Sequence, residues 1–130
     1  MLFFIYAHEI QLGGIRIVNS TFFCDLAALT IQQRQRHGEL ARKLRPLVVE
    51  FEELSNGYAA KVRSVQLVES DIEEFMTLER LCCPFFTLSL EIENRDENEE
   101  RTYVLKITGQ GEIKPFIRGE FGIPENQNAT

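Results

Sequence analysis

The sequence predicts an α+β domain in which helix, hairpin, helix, hairpin and helix follow one another, forming a four-stranded antiparallel sheet with the helices on one face. Three observations predict it. Residues 25–45 and 70–83 repeat apolar side chains at helical spacing. The runs 47–54 and 58–65 flank Asn56-Gly57, the strongest short hairpin signal. Two more alternating runs flank the polar segment 94–100.

Residues 1–14 begin with the apolar run Met1-Leu2-Phe3-Phe4-Ile5-Tyr6-Ala7 and end at the breaker Gly13-Gly14. An edge strand, a partner-binding arm and a poorly ordered extension all remain open for them. The opening has no basic residue before it and is too short to span a bilayer, so neither a signal peptide nor a membrane helix is expected. Residues 15–23 alternate loosely and suit a short strand. The expected organisation is therefore an N-terminal arm or edge strand over 1–23, a single domain over 24–121 and a disordered tail over 122–130.

The first helix is expected over 25–45, with Leu26, Leu29, Leu40 and Leu44 on one stripe that also carries Gln33 and His37, and with Pro46 ending it. The hairpin 47–65 follows. In the second helix Ile72, Phe75, Met76, Glu79, Cys82 and Cys83 share a face, while Glu73, Glu74 and Thr77 point away. Ser70 and Glu73 have the spacing of a capping box, and Pro84 stops the helix at Cys83. In the second hairpin Phe86, Leu88, Leu90 and Ile92 face Tyr103, Leu105 and Ile107. A closing helix over 112–119 packs Ile113, Phe116 and Ile117, with Pro115 tolerated in its first turn.

The 130 residues are one domain's worth, 44% hydrophobic and 26% charged. A net charge of −6 leaves no basic surface for phosphates, so nucleic acid is not an expected partner. The basic group Arg34, Arg36, His37, Arg42, Lys43 and Arg45 reads as a solvated helix face. Three cysteines, an odd count at irregular spacing, do not make a secreted disulfide framework, and a reduced cytoplasmic setting is the expectation.

The chemistry-bearing residues gather around the end of the second helix. Glu79 lies mid-stripe, where a carboxylate must be paired, protonated or bound. Its neighbours three and four residues on are Cys82 and Cys83. The negative end of a helix dipole gives these thiols no acidity, unless Arg80 folds toward Cys83. An ion pair to Arg34 or Arg36 is an equally good account of Glu79. Cys24, just before the first helix, would complete a soft-metal or redox cluster with Cys82, Cys83 and Glu79 if the fold joins the two helix ends. Buried packing is the competing account of all three cysteines. His37 is a further candidate ligand, but a continuous first helix would hold it roughly 20 Å from Cys24. Gly109-Gln110-Gly111 lacks the lysine of a phosphate loop.

The stretch Leu78-Glu79-Arg80-Leu81-Cys82-Cys83-Pro84-Phe85-Phe86 resembles a family of short uncharacterised bacterial proteins with a glutamate, a Cys-Cys pair, Pro or Ala, and Phe-Phe. The resemblance takes in Cys24-x-Leu26 with Arg34 ten residues on, and Leu105-x-Ile107-Thr108-Gly109, so it spans about 24–121. It implies that Cys24, Cys82, Cys83 and Glu79 act as one unit. It also implies a link to heavy metals, since such proteins are associated with mercury-type regulators and metal transporters.

The leading expectation is thus a small thiol protein that binds a soft metal such as zinc or mercury, or senses thiol oxidation. Cys24, Cys82, Cys83 and Glu79 carry it, with Arg34, Arg80 and His37 in support. The alternative is a non-catalytic homodimeric interaction domain with structural cysteines. A small hydrolase or lyase using a cysteine with Glu79 ranks third, and a non-enzymatic role is favoured over it.

Overall fold

Gly57 opens its strand where the carbonyl of Ile107 comes too close for any Cβ, so this position admits only glycine. The first hairpin turn lies one residue before the expected place. Ser55 and Asn56 make the turn, and Leu54 pairs with Gly57. The computed structural model describes residues 24–93 and 99–124. Residues 1–23, where the arm or edge strand was expected, lie outside the described residues, as do 125–130.

The described chain begins with a 3-10 turn, Leu26–Ala28, followed by helix α1, Ile31–Leu44. A second 3-10 turn, Arg45–Leu47, leads into strands β1, Val48–Leu54, and β2, Gly57–Ser64. Helix α2, Glu69–Cys82, then precedes β3, Thr87–Ile92, and β4, Arg101–Thr108, and helix α3, Ile113–Phe121, closes the order. The class is α+β. The sheet is antiparallel with strand order β1-β2-β4-β3.

Register explains which side chains enter the core. Phe51, Ala60, Leu105 and Leu90 form one cross-sheet row, and Tyr58, Ile107 and Leu88 form the next. These residues join Leu40, Leu44, Ile72, Phe75, Met76, Ile113 and Ile117 in one apolar cluster. A register shift between Val48 and Glu50 breaks the alternation expected in β1. Val49 is left 51% exposed, while Val48 and Phe51 both pack on the core.

Three helix boundaries differ from expectation. The first helix is not continuous over 25–45: Leu29 and Thr30 are extended, and α1 starts at Ile31. Thr30 and Gln33 form a reciprocal capping box, their two bonds measuring 3.0 and 2.9 Å. Ser70 does not cap α2, which begins a residue earlier behind Val68. Val68 is buried and donates its N–H to the Tyr103 hydroxyl at 3.4 Å, so tertiary packing fixes this helix start. The closing helix runs past Gly119 to Phe121, where Gly122 takes the left-handed conformation at φ 68°. Ile123 is buried in the core, so packed structure continues beyond 121 into the segment expected as tail.

No described helix is long and apolar enough to cross a membrane.

Candidate functional site

The end of α2 is tied to the start of the described chain by backbone. Asp25 donates its N–H to the Cys82 carbonyl at 2.8 Å, and its carboxylate accepts from Ala27 N–H to shape the 3-10 turn. This places Cys24 against Cys83, and the two are bonded as a disulfide. Cys82 keeps a free thiol. Its sulfur lies 3.7 Å from that of Cys83 and faces the Glu79 carbonyl at 3.8 Å. The three sulfurs of Cys24, Cys82 and Cys83 lie within 4.8 Å of one another.

The second half of the site comes from α1 and α3. His37 reaches across from α1, its Nε2 3.2 Å from Glu79 Oε1. The ring stacks on Phe75, one turn before Glu79, with centroids 4.9 Å apart. His37 Nε2, a Glu79 oxygen and Cys82 Sγ again lie within 4.8 Å of one another, and so do Glu79, Cys83 and Glu120. Phe85 and Phe86, turned inward after Pro84, pack edge-on or tilted against Phe116 and Phe121 of α3. That aromatic contact brings Glu120 beside Glu79 and Cys83, completing a close-packed cluster of buried polar groups, hereafter the chamber.

His37, Glu79, Cys82, Cys83 and Glu120 are each at most 2% exposed, and Cys24 alone of this group is partly exposed. Glu79 Oε2 and Glu120 Oε2 have no hydrogen-bond partner among the described residues. Buried polar atoms are nearly always paired, so two unpaired carboxylate oxygens in one chamber mark it as unusual. Burial first, and then the Glu79 charge, pushes the Glu120 carboxyl up to about 8. Burial, then Glu79 and Glu120, pushes the Cys82 thiol up to about 12. The thiol thus keeps its proton at neutral pH, and a cation must displace that proton to gain a thiolate.

The sequence-nominated residues divide cleanly. Cys24, Cys82, Cys83 and Glu79 meet. His37, expected partly as one of a solvated basic face, is buried among them. Leu29 and Thr30 break the first helix and fold the chain back, which removes the separation a continuous helix would impose on Cys24 and His37. Glu79 pairs with neither Arg34 nor Arg36. Arg36 instead grips Glu74 with two bonds of 3.0 and 2.9 Å, holding the Glu74 carboxyl below the usual range. Lys43 reaches Asp71 at 2.6 Å alongside it. Arg34 is exposed, and Arg80 donates to the Leu88 carbonyl at 3.1 Å rather than turning to Cys83.

Glu120 is the residue sequence reasoning missed. Its signal was present: Ile113, Ile117, Glu120 and Phe121 have the spacing of a single helix face, and all four are buried. Ending the helix at Gly119 hid it. A cavity of about 60 Å³ between α1, α2 and the sheet, lined by Leu44, Val62, Phe75 and Phe121 among others, contains none of these donor residues.

No protein-family model, no curated protein and no solved structure matches this chain.

Proposed function

We propose that this protein captures a soft metal ion on thiolates of Cys24, Cys82 and Cys83, with Glu79 as the neighbouring carboxylate, and that the Cys24–Cys83 disulfide is the closed form of the same site. The observation that carries this reading is the convergence of three sulfurs from two separate chain segments beside a fully buried glutamate. Thiolate is a soft ligand, and a three-sulfur set favours mercuric ion, zinc or copper(I) over oxygen-preferring cations. Two sulfurs bound to one tetrahedral zinc at about 2.3 Å are about 3.7 Å apart. Cys82 and Cys83 already have that separation.

Opening the site requires a dithiol reductant. The Cys24–Cys83 bond breaks, two electrons and two protons pass to the two sulfurs, and the reductant leaves as its own disulfide. Metal binding then releases the thiol protons to solvent. Disulfide formation reverses this and withdraws two of the three sulfurs, so oxidation and metal capture compete for Cys24 and Cys83. The resemblance carried by residues 78–86 points to the same chemistry.

Native mass spectrometry of the reduced protein mixed with mercuric ion tests the reading. One ion per chain is expected, lost in a Cys82→Ser, Cys83→Ser double variant. Undiminished uptake by that variant would overturn it.

A further inference from the structure

The thiol reading draws on neither His37 Nε2 nor Glu79 Oε2. His37 Nε2, a Glu79 oxygen and Cys82 Sγ converge within 4.8 Å, and none of the three belongs to the disulfide. We propose that, with the Cys24–Cys83 disulfide intact, this chamber holds one borderline divalent cation of the zinc class on His37, Glu79 and Cys82. The inference rests on the chamber being a metal site, but uses a different donor set from the three-sulfur one.

Donor chemistry selects the ion. One imidazole nitrogen, one carboxylate oxygen and one thiolate suit zinc and its cobalt(II) analogue, and are too poor in oxygen for magnesium or calcium. Nitrogen and oxygen ligands of one tetrahedral zinc, each bonded at about 2.0 to 2.1 Å, lie about 3.3 Å apart. The His37–Glu79 separation is 3.2 Å. A hydrogen bond alone also accounts for that distance, but it leaves Glu79 Oε2 buried without a partner, whereas a bound cation would balance the carboxylate's charge. The stacked Phe75 ring fixes the imidazole plane, as a metal-ligating histidine requires. On binding, Cys82 gives its proton to solvent and a metal–sulfur bond takes its place, with no change of oxidation state.

Redox state then sets metal class. The reduced chamber offers three sulfurs to a soft ion, and the oxidised chamber offers one sulfur, one nitrogen and one oxygen to a borderline ion.

The test uses disulfide-intact full-length protein and cobalt(II) alone, followed by absorption and native mass spectrometry. One cobalt per chain is expected, with a sulfur-to-cobalt charge-transfer band that zinc abolishes on displacement. Cys82→Ser should remove the band, and His37→Gln should weaken binding by about tenfold or more. Absence of bound cobalt in the intact protein, or a band indifferent to Cys82→Ser, overturns the proposal. If His37→Gln does not fold by circular dichroism, the Cys82→Ser arm decides. Mercury uptake by reduced wild-type protein reports on the three-sulfur reading separately, so failure of one does not imply failure of the other.

Discussion

His37 and Glu79 face each other across the α1–α2 interface with 3.2 Å between Nε2 and Oε1, the side chains 1% and 0% exposed. The contact is the buried end of a polar seam. Arg36–Glu74 and Lys43–Asp71 continue it to the surface, joining the same two helices where water screens each charge. Only the buried pair is beyond the reach of salt, so it has the larger influence on how α1 and α2 register.

Removing one member strands the other. His37→Leu is expected to destabilise the fold by about 3–5 kcal/mol, the usual cost of breaking a buried polar pair from one side. The double variant His37→Leu, Glu79→Leu should recover part of that loss, because neither member of this pair is then left buried opposite an apolar side chain. Urea denaturation of the four members of this cycle measures it. A double variant as unstable as the sum of the singles would mean the two side chains do not interact.

The disulfide joins residues 59 apart in sequence, so its removal frees a long loop in the unfolded chain. A loop of that length is worth about 4 kcal/mol in the chain-entropy account. Reduction should therefore lower the urea midpoint of the wild-type protein markedly. Cys24→Ser should start from the lower value and show no response to reductant. A reductant effect of equal size in Cys24→Ser would place the covalent link elsewhere.

Much of this architecture is legible in the sequence because local signals and tertiary packing agree. The alternating strands and the turn around Asn56 predict β1 and β2 to within a residue, and Pro84 marks the end of α2. The site is legible only in part. Glu79, Cys82 and Cys83 share one helix and show their proximity by spacing, whereas the His37 contact depends on the break at Leu29 and Thr30. The Thr30-x-x-Gln33 capping box announces that break in the sequence, but the apolar stripe running through it argues for one long helix. Ser70 shows the converse, since its S-x-x-E pattern is overruled by the burial of Val68 against Tyr103. Glu120 depends on Gly119 being helical, and there the favourable burial of Phe121 outweighs a glycine's cost of roughly 1 kcal/mol.

Cys82 combines complete burial with a thiol pushed up to about 12, and both features withhold the thiolate that alkylating reagents need. In disulfide-intact native protein at pH 8, iodoacetamide is expected to leave Cys82 unmodified. The same treatment in concentrated urea without reductant should add one carbamidomethyl group per chain, located by peptide mass spectrometry. Rapid labelling of Cys82 in the native state would show that the chamber opens on the timescale of the reaction.

Glu120 gives the metal-free protein a pH dependence opposite to that of an ordinary surface carboxylate. Its folded value lies near 8 against an ordinary 4.5, so between these limits the native state holds a proton that the unfolded state has released. Stability then falls as pH rises, and the contribution is complete below 4.5 and exhausted above about 8. At 1.36 kcal/mol per unit the full span is on the order of 5 kcal/mol. Glu120→Gln keeps the shape and removes the ionisation, so its stability should vary less between pH 5 and 8 and should exceed that of wild type at about pH 8. Urea midpoints of both proteins across that range, in the presence of a chelator, measure the difference. Parallel profiles would show that Glu120 releases its proton in the folded chain as readily as in the unfolded one, and that the chamber admits water to its carboxylate.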